Sequence, residues 1–335
     1  MNDISVIAPA RWQQLDHLPV GLFGSVMGLT GLSVAWRLAH AAFGAPPWIA
    51  DAISIIAVLV FVAVATGYAI KAAIAPEAVV AEFRHPIAGS LFGTFFISLL
   101  LLPIILAPVY LSLARALWTL GTLGMMVFAW LIVSRWMSDQ QQIAHATPAW
   151  IVPVVGLLDI PLAVPALGFV TAPGSLLHAL MVMDLALGLF FAIPLFTLIF
   201  ARLLFQPPLP DALQPTLLML LVPFAVGYST YTVTVGTTDP FAQALYMLSL
   251  FLLAVLLGRL RKLGECCPFR FGWWAVSFPL AASAIAALRY AAVTPNWLSE
   301  SIAVAILALS TIVIAGLSLR TLIGLARGEL RTLSS

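Results

Sequence analysis

Residues 53–65 read ISIIAVLVFVAVA, and residues 245–257 read LYMLSLFLLAVLL. Both stretches are apolar on every side of a helix, whereas a strand of a membrane barrel would alternate polar and apolar residues. The chain of 335 residues is 62% hydrophobic and only 8% charged, against about 25% charged residues in an ordinary soluble domain. Its 15 basic and 13 acidic residues are too few to cover a globule of this size. The sequence therefore excludes a soluble enzyme and predicts a bundle of membrane-spanning helices.

Several other function classes are excluded by what the chain lacks. A net charge of +2 without a basic run gives no footprint for nucleic acid. There is no nucleophile–base pair, phosphate-binding loop, dinucleotide fingerprint or HExxH signature, so the protein is not expected to be an enzyme or an ATP-driven pump. Cys266 and Cys267 are neighbours, and free thiols are favoured over a redox or metal pair. We expect no catalytic residue, no cofactor and no metal site.

Apolar run lengths and polar or Pro/Gly breaks divide the chain into ten crossings. They are residues 18–42, 48–72, 86–107, 110–137, 148–170, 173–203, 213–236, 239–262, 269–293 and 296–325. Residues 18–325 then form one membrane domain, with residues 1–17 as a cytoplasmic N-terminal segment and 326–335 as a short cytoplasmic tail. The N-terminus has no basic stretch before an apolar one, so we expect no cleaved signal peptide.

The linkers and the prolines indicate an arrangement of these crossings. Linkers after odd-numbered crossings are very short, which predicts five helical hairpins in series. Proline disturbs helices and frees carbonyls that protein or cavity water must satisfy. The odd crossings carry most of the prolines within or beside the crossings, whereas only Pro194 lies in the middle of an even crossing. We therefore predict an all-α polytopic protein in which odd helices form an inner ring and even helices lie outside.

The basic residues predict the orientation. Only Arg37, Arg115 and Arg289 fall near the ends of odd crossings, whereas the other twelve lie in the termini or near the linkers after even crossings. By the positive-inside rule both termini are cytoplasmic. Those twelve are Arg11, Lys71, Arg84, Arg135, Arg202, Arg259, Arg261, Lys262, Arg270, Arg320, Arg327 and Arg331.

Two local patterns have both a packing and a functional interpretation. Gly21, Gly24, Gly28 and Gly31 lie on one face of the first helix, where they either allow close helix packing or leave room for a conduit. The hydroxyl-rich stretch 228–234 of the seventh crossing either lines a wet path or anchors the helix at the interface, with anchoring slightly favoured.

Four stretches resemble the tellurite-resistance/dicarboxylate transporter family, which includes bacterial TehA-type proteins and the plant guard-cell slow anion channel. They are LPVGLFGSVMGLTGLSVAW from residue 18, AEFRHP from 81, TPAWIVPVVG from 147 and FGWWAVSFPLAASAIAALRY from 271. The matching pieces keep the same hairpin order across the whole membrane domain. The resemblance implies ten helices in five hairpins with quasi-five-fold symmetry, a central pore lined by odd helices, and a homotrimer in the bacterial inner membrane.

The resemblance also implies a role for the ninth crossing. In this family a phenylalanine of that helix plugs the pore, and the segment WWAVSFP has Phe278 at the matching position. Plain core packing is the alternative. Together with the proline and glycine patterns, this predicts pore-lining or kink positions at Gly24, Gly28, Pro103, Pro153, Pro223, Ser277 and Pro279.

The charged residues suggest how the protein would attract an anion and whether its movement is coupled to protons. We expect Arg37, Arg115 and Arg289 to attract anions by a diffuse potential, because no cation falls at mid-membrane depth in an odd crossing. Asp159 and Asp184 are acids inside crossings, where a charge is costly. Asp159 is either a proton site that couples anion movement to pH or a buried, hydrogen-bonded carboxyl. For Asp184, on an outer helix, the second interpretation is favoured.

The sequence thus favours a passive channel for small monovalent anions or organic acids, in contact with membrane lipid. One alternative is a proton-coupled carrier of C4-dicarboxylates such as malate, which would need a cation for each carboxylate. The other is a tellurite-resistance membrane protein that moves no bulk solute.

Overall fold

The computed structural model describes residues 16–266 and 268–334, with side chains for all of these except 259–266. Most of the predicted N-terminal segment 1–17, including Arg11, therefore lies outside the described residues. The same holds for the side chains of Cys266, Arg259, Arg261 and Lys262, and for all of Cys267.

Every regular element of the described chain is a helix, and nine helices are long and apolar enough to cross a membrane. A tenth, shorter apolar helical segment follows the fourth of these in sequence. The predicted all-α polytopic fold is confirmed. In chain order the ten crossings are Val20–Phe43, Pro47–Ile74, Ala88–Leu106, Leu111–Ser138, Pro148–Ala163, Leu176–Phe205, Asp211–Val235, Pro240–Gly258, Phe271–Val293 and Trp297–Ala326.

The odd crossings form a closed inner ring. The first contacts the third, the third the fifth, the fifth the seventh, the seventh the ninth, and the ninth returns to the first. Each even crossing packs outside the odd one that precedes it. Between 67% and 78% of the most apolar window is buried in the four long odd crossings, against 22–39% in the even ones. The inner and outer sets predicted from proline placement are therefore correct.

All five odd crossings begin with a 3₁₀ stretch before continuing as α-helix. We call the end of the bundle where they begin the proximal end, and the opposite end the distal end. The 3₁₀ stretches include Val20–Leu22, Ala88–Phe92, Pro148–Ile151, Asp211–Leu221 and Phe271–Val276. A 3₁₀ helix rises about 2.0 Å per residue, against 1.5 Å for an α-helix. These stretches therefore lengthen the inner helices toward the proximal end.

The fifth crossing is shorter than the predicted 148–170, because its regular structure ends at Ala163. Pro161 and Pro165 lack the N–H that would continue the helix, and Gly168 has a left-handed backbone with φ of 63°. Carbonyls freed by this irregular backbone need donors in a lipid environment.

Three side chains from neighbouring crossings supply those donors. Thr230 donates to the Leu158 carbonyl at 2.5 Å. Trp118 Nε1 donates to the Ile160 carbonyl at 2.9 Å. Arg115 donates twice to the Leu167 carbonyl, at 3.1 Å from Nε and 2.9 Å from Nη2. Side chains of the neighbouring crossings thus satisfy carbonyl groups at the irregular end of the fifth crossing.

The first and ninth crossings approach each other closely along the glycine stripe. A Cβ on Gly28 would lie 2.2 Å from Ser277 Oγ, and one on Gly31 would lie 2.9 Å from the Ala281 Cβ. A larger residue at either position would push the two helices apart. Gly28 and Gly31 therefore set the spacing of the two helices in the middle of the bundle.

At the proximal end a buried ion pair holds the beginning of the first crossing. Lys71 is 3% exposed and donates to Glu82 Oε2 at 2.7 Å and to the Leu18 carbonyl at 2.8 Å. Glu82 lies on the short helix Pro76–Arg84 and accepts from the Val20 N–H at 2.7 Å. Tyr68 donates to the same carboxylate at 3.0 Å.

Candidate functional site

A cavity of about 240 Å³ opens into the ring from the proximal end, and all five odd crossings line it. We call it the proximal cavity. Each helix contributes at least one side chain or backbone face, exemplified by Gly24, Thr94, Asp159, Thr216 and Phe278. The 3₁₀ stretches of all five crossings supply further lining residues. The cavity therefore lies on the axis about which the five inner helices are arranged.

The cavity ends near the middle of the bundle. The lining residues farthest along the first, third, fifth and seventh crossings are Met27, Ile97, Asp159 and Val222. In the ninth crossing Phe278 and Pro279 are the last. The floor of the cavity is thus mainly apolar, with one carboxyl group in it.

Phe278 is the large aromatic side chain of this floor. It is 6% exposed, and a Cβ on Gly31 would lie 3.9 Å from its ring Cδ2. Beyond it, residues 280–284 of the ninth crossing and 29–33 of the first are buried. The ring therefore lies where the passage closes between the two tightly packed helices.

A second cavity, of about 370 Å³, lies at the distal end. We call it the distal cavity. It is lined by the ends of the first, seventh and ninth crossings and by the loop residues Thr237 and Thr238. Arg289 is the only charged residue among those that line it. The distal cavity lies beyond the closed middle segment, on the opposite side from the proximal cavity.

Asp159 lies in the floor of the proximal cavity without a cation near it. It is 1% exposed, and its buried Oδ1 has no hydrogen-bond partner among the described residues. No basic group of the described chain is within salt-bridge distance of it. Asp184, on the sixth crossing, has two buried oxygens that also lack partners, but it lines neither cavity.

The three arginines predicted to attract anions have different environments. Arg37 donates to Ser54 Oγ at 3.3 Å and lies 3.7 Å from Asp51. Arg115 donates to the Leu167 carbonyl after the fifth crossing, and its guanidinium carbon lies 5.0 Å from the centroid of the Phe169 ring. Arg289 alone lines a cavity, and its buried Nε has no hydrogen-bond partner.

The other predicted pore positions fall into two groups. Gly24 and Pro279 line the proximal cavity. Gly28, Pro103, Pro153, Pro223 and Ser277 are buried between helices and line neither cavity. Ser277 donates to the Trp274 carbonyl at 2.7 Å and to the Gly24 carbonyl at 3.2 Å, so its hydroxyl joins the first and ninth crossings.

Sequence reasoning missed most of the floor of the proximal cavity. Thr94 and Ile97 are three residues apart on the third crossing, and nothing in their local sequence distinguishes them from core residues.

The hydroxyl-rich stretch of the seventh crossing is largely buried. Tyr228, Ser229 and Thr230 have almost no exposed surface, and Tyr228 and Thr232 are among the residues that line the distal cavity. Interfacial anchoring therefore does not describe Tyr228 or Thr230.

A ring of membrane-spanning helices around an axial passage that is closed in its middle is the architecture of a channel or transporter. The chain belongs to the SLAC1 family, described as voltage-dependent anion channels, whose sequence model matches residues 17–322. The resemblance predicted from four short stretches is thereby confirmed.

Individual relatives include two plant proteins and a bacterial one. The S-type anion channel SLAH3 of Arabidopsis thaliana is 28% identical over 93% of this chain and 49% of its own length. The guard cell S-type anion channel SLAC1 of the same plant is 25% identical over 96% of this chain and 58% of its own. The tellurite resistance protein TehA homolog of Haemophilus influenzae is 30% identical over 82% of this chain and 81% of its own. The chain thus spans about half the length of the plant relatives it matches.

Proposed function

We propose that the protein is a passive channel for small monovalent anions or organic acids, and that the Phe278 side chain closes its passage. The observation that carries this proposal is the proximal cavity, which all five inner crossings line and which ends at the Phe278 ring. A hydrophobic constriction of this kind blocks ions by excluding their hydration water. The plant relatives are named anion channels, which supports the choice of an anion.

Charge along the passage favours a single negative charge on the permeant ion. Among the described residues each cavity is lined by a single cation, Arg289 at the distal end and Arg270 at the proximal end, so no cavity offers two cations to one ligand. A dicarboxylate carrier is expected to offer a cation to each carboxylate, since charge-assisted pairs give the strongest recognition. Weak attraction by one cation in each cavity permits rapid release, which conduction requires.

A second candidate is a proton-coupled carrier of C4-dicarboxylates or malate. Asp159 favours it, because an unpaired carboxyl in the floor of the proximal cavity could take up a proton from the solution there. A fixed negative charge about 5 Å from the path would repel an anion by roughly 3 kcal/mol at an effective dielectric of 20. Protonation of Asp159 would remove that barrier, so anion and proton would move together.

The experiment that separates these functions is a flux assay in proteoliposomes with chloride, nitrate, malate and succinate, recorded with an internal pH indicator. The proposed channel conducts the monovalent anions at a fixed membrane potential without proton uptake. A carrier gives succinate- or malate-dependent proton uptake. Absence of flux of all four anions above protein-free vesicles would contradict both functions and favour a tellurite-resistance protein that moves no bulk solute.

The assembly and location of the channel are part of the same proposal. A homotrimer in the bacterial inner membrane, surrounded by lipid, would have both termini in the cytoplasm. Basic residues near the proximal end support this orientation; they include Arg84, Arg135, Arg320, Arg327 and Arg331. Thiol labelling of single cysteines placed at Ser334 and Thr237 from outside intact cells tests it: only the Thr237 position should react.

A further inference from the structure

The distal cavity has the features of a ligand site. Its lining residues come from three walls of different chemistry. The first crossing contributes only apolar side chains, Leu38, Ala41 and Ala42. The seventh crossing and the loop after it contribute hydroxyl groups, and the ninth contributes Arg289. The cavity thus has an apolar side, a hydroxyl-bearing side and a single cation.

The Arg289 guanidinium is not neutralised by the protein. It makes no ion pair with any described carboxylate, and its buried Nε has no hydrogen-bond partner. The acid of the adjacent loop, Asp239, is already engaged, because it accepts from the Tyr231 hydroxyl at 2.5 Å and from the Ala242 N–H at 3.0 Å. A partly buried cation without a counter-charge is costly, and an anion in the cavity would compensate it.

A cluster of three tyrosines places a second polar group at the same cavity. The rings of Tyr246 and Tyr290 stack with centroids 4.2 Å apart, and Tyr228 packs against both, at 5.5 Å and 6.4 Å. Tyr228 is fully buried, lines the cavity and lies close enough to Arg289 to feel its charge. Its hydroxyl has no hydrogen bond of good geometry, although the Thr238 side chain is near. Tyr228 therefore has a buried hydroxyl, within electrostatic range of Arg289, whose proton a ligand that reaches it could accept.

We propose that the distal cavity binds a short-chain monocarboxylate, with its carboxylate on Arg289 and the Tyr228 hydroxyl and its alkyl group against the wall formed by Leu38, Ala41 and Ala42. One guanidinium matches one carboxylate, which it can bind through two parallel hydrogen bonds. A second carboxylate would face the apolar wall, where a charge is unfavourable. The proposed channel function explains why an anion would visit this cavity, and the inference rests on that function only in this respect.

The test is thermal stability of the purified protein in lipid nanodiscs, titrated with sodium acetate, sodium chloride or sodium succinate at equal ionic strength. Acetate should raise the melting temperature in a saturable manner, because a ligand that binds only the folded state stabilises it. Chloride and succinate should be at least about tenfold weaker, which is about 1.4 kcal/mol.

Matched variants assign the effect to this cavity. Arg289→Gln should weaken acetate binding about tenfold or more, and Arg289→Lys should weaken it less because the charge remains. Tyr228→Phe should weaken it about threefold, since one hydrogen bond to a charged group is lost. Tyr246→Phe, whose hydroxyl lies outside the cavity, and Arg115→Gln should keep the acetate-induced shift, whatever their melting temperature without acetate.

Three results would overturn the inference: no saturable acetate shift in the parent protein, an equal shift in Arg289→Gln, or succinate binding as strong as acetate binding. The readout is binding, so it separates this inference from the proposed function. A saturable, Arg289-dependent shift without flux supports the site and contradicts the channel. Flux without the shift supports the channel and contradicts the site.

Discussion

Two cations at opposite ends of the bundle, the buried Lys71 and the partly buried Arg289, have opposite surroundings. Lys71 is enclosed at the proximal end, where Glu82 and the Leu18 carbonyl accept its protons. Arg289 borders the distal cavity, makes no ion pair with a described carboxylate, and has a buried Nε without a hydrogen-bond partner. Lys71 therefore contributes to the fold, whereas Arg289 is the cation that we propose binds an anion. The difference teaches that a cation inside the bundle is a candidate ligand site only when the protein leaves it unpaired beside a cavity.

The largest effect on stability is expected when Lys71 is removed. Lys71→Met would leave the Glu82 carboxylate buried without its cation, and breaking a buried pair from one side costs about 3–5 kcal/mol. At about 2 °C per kcal/mol for a chain of this size, the melting temperature should fall by roughly 6–10 °C. Intrinsic tryptophan fluorescence during heating in detergent measures this.

An exposed ion pair provides the control for that prediction. Arg135 and Asp139 are 3.8 Å apart with side chains 32% and 63% exposed. Such surface pairs contribute about 0–1 kcal/mol, so Asp139→Asn should change the melting temperature by less than about 2 °C. If the melting temperature fell equally in Lys71→Met and Asp139→Asn, the structural role assigned to Lys71 would be wrong.

The second prediction concerns the other cation. Arg289→Gln removes a charge that makes no ion pair with a described carboxylate, so the melting temperature should not fall by more than about 2 °C. Anion flux should fall several-fold at low salt and by a smaller factor at 1 M salt, where the Debye length shortens from about 10 Å to about 3 Å. Anion flux of the parent protein and of Arg289→Gln, measured in proteoliposomes at both salt concentrations, gives the factor by which flux falls at each. A loss of the same size at both would point to a structural role like that of Lys71.

Substitution of Asp159 is expected to have the smallest effect on stability, and it extends the comparison from the two cations to an acid. Asp159→Asn keeps the shape and removes the titratable proton, so stability should change by less than about 1 kcal/mol if the carboxyl is neutral in place. If Asp159 couples anion and proton movement, the variant should lose anion-dependent proton uptake and keep anion flux. Proton uptake that is unchanged in Asp159→Asn would eliminate this coupling site. Asp184→Asn, on an outer crossing, is the matched control and should leave uptake unaltered.

The sequence predicted which helices form the inner ring better than it predicted what individual side chains contact. Short linkers after odd crossings and prolines within them identified the inner helices, because both are local consequences of hairpin geometry and backbone disruption. The SFP motif of the ninth crossing identified Phe278 as a candidate plug by resemblance, and the structure places this ring in the floor of the proximal cavity.

The roles of the arginines could not be predicted in the same way. Arg115 binds the Leu167 carbonyl, which is free only because the fifth crossing ends early near Pro161 and Pro165. The prolines were visible in the sequence, but the position of Arg115 beside that carbonyl depends on how two crossings pack. Arg37 is likewise engaged by Ser54 from the adjacent crossing. Arg289 differs from them only by lacking such a neighbour, and a single sequence does not reveal that.

The central claim is the proposal that the Phe278 ring closes the path between the two cavities, and Phe278→Ala in planar bilayers or proteoliposomes tests it most directly. Phe128→Ala, which truncates an equally buried ring that lines neither cavity, is the matched control. Phe278→Ala should raise anion current several-fold over the parent protein, whereas Phe128→Ala should not. Unchanged current in Phe278→Ala, with protein of normal assembly and melting behaviour, would contradict the account.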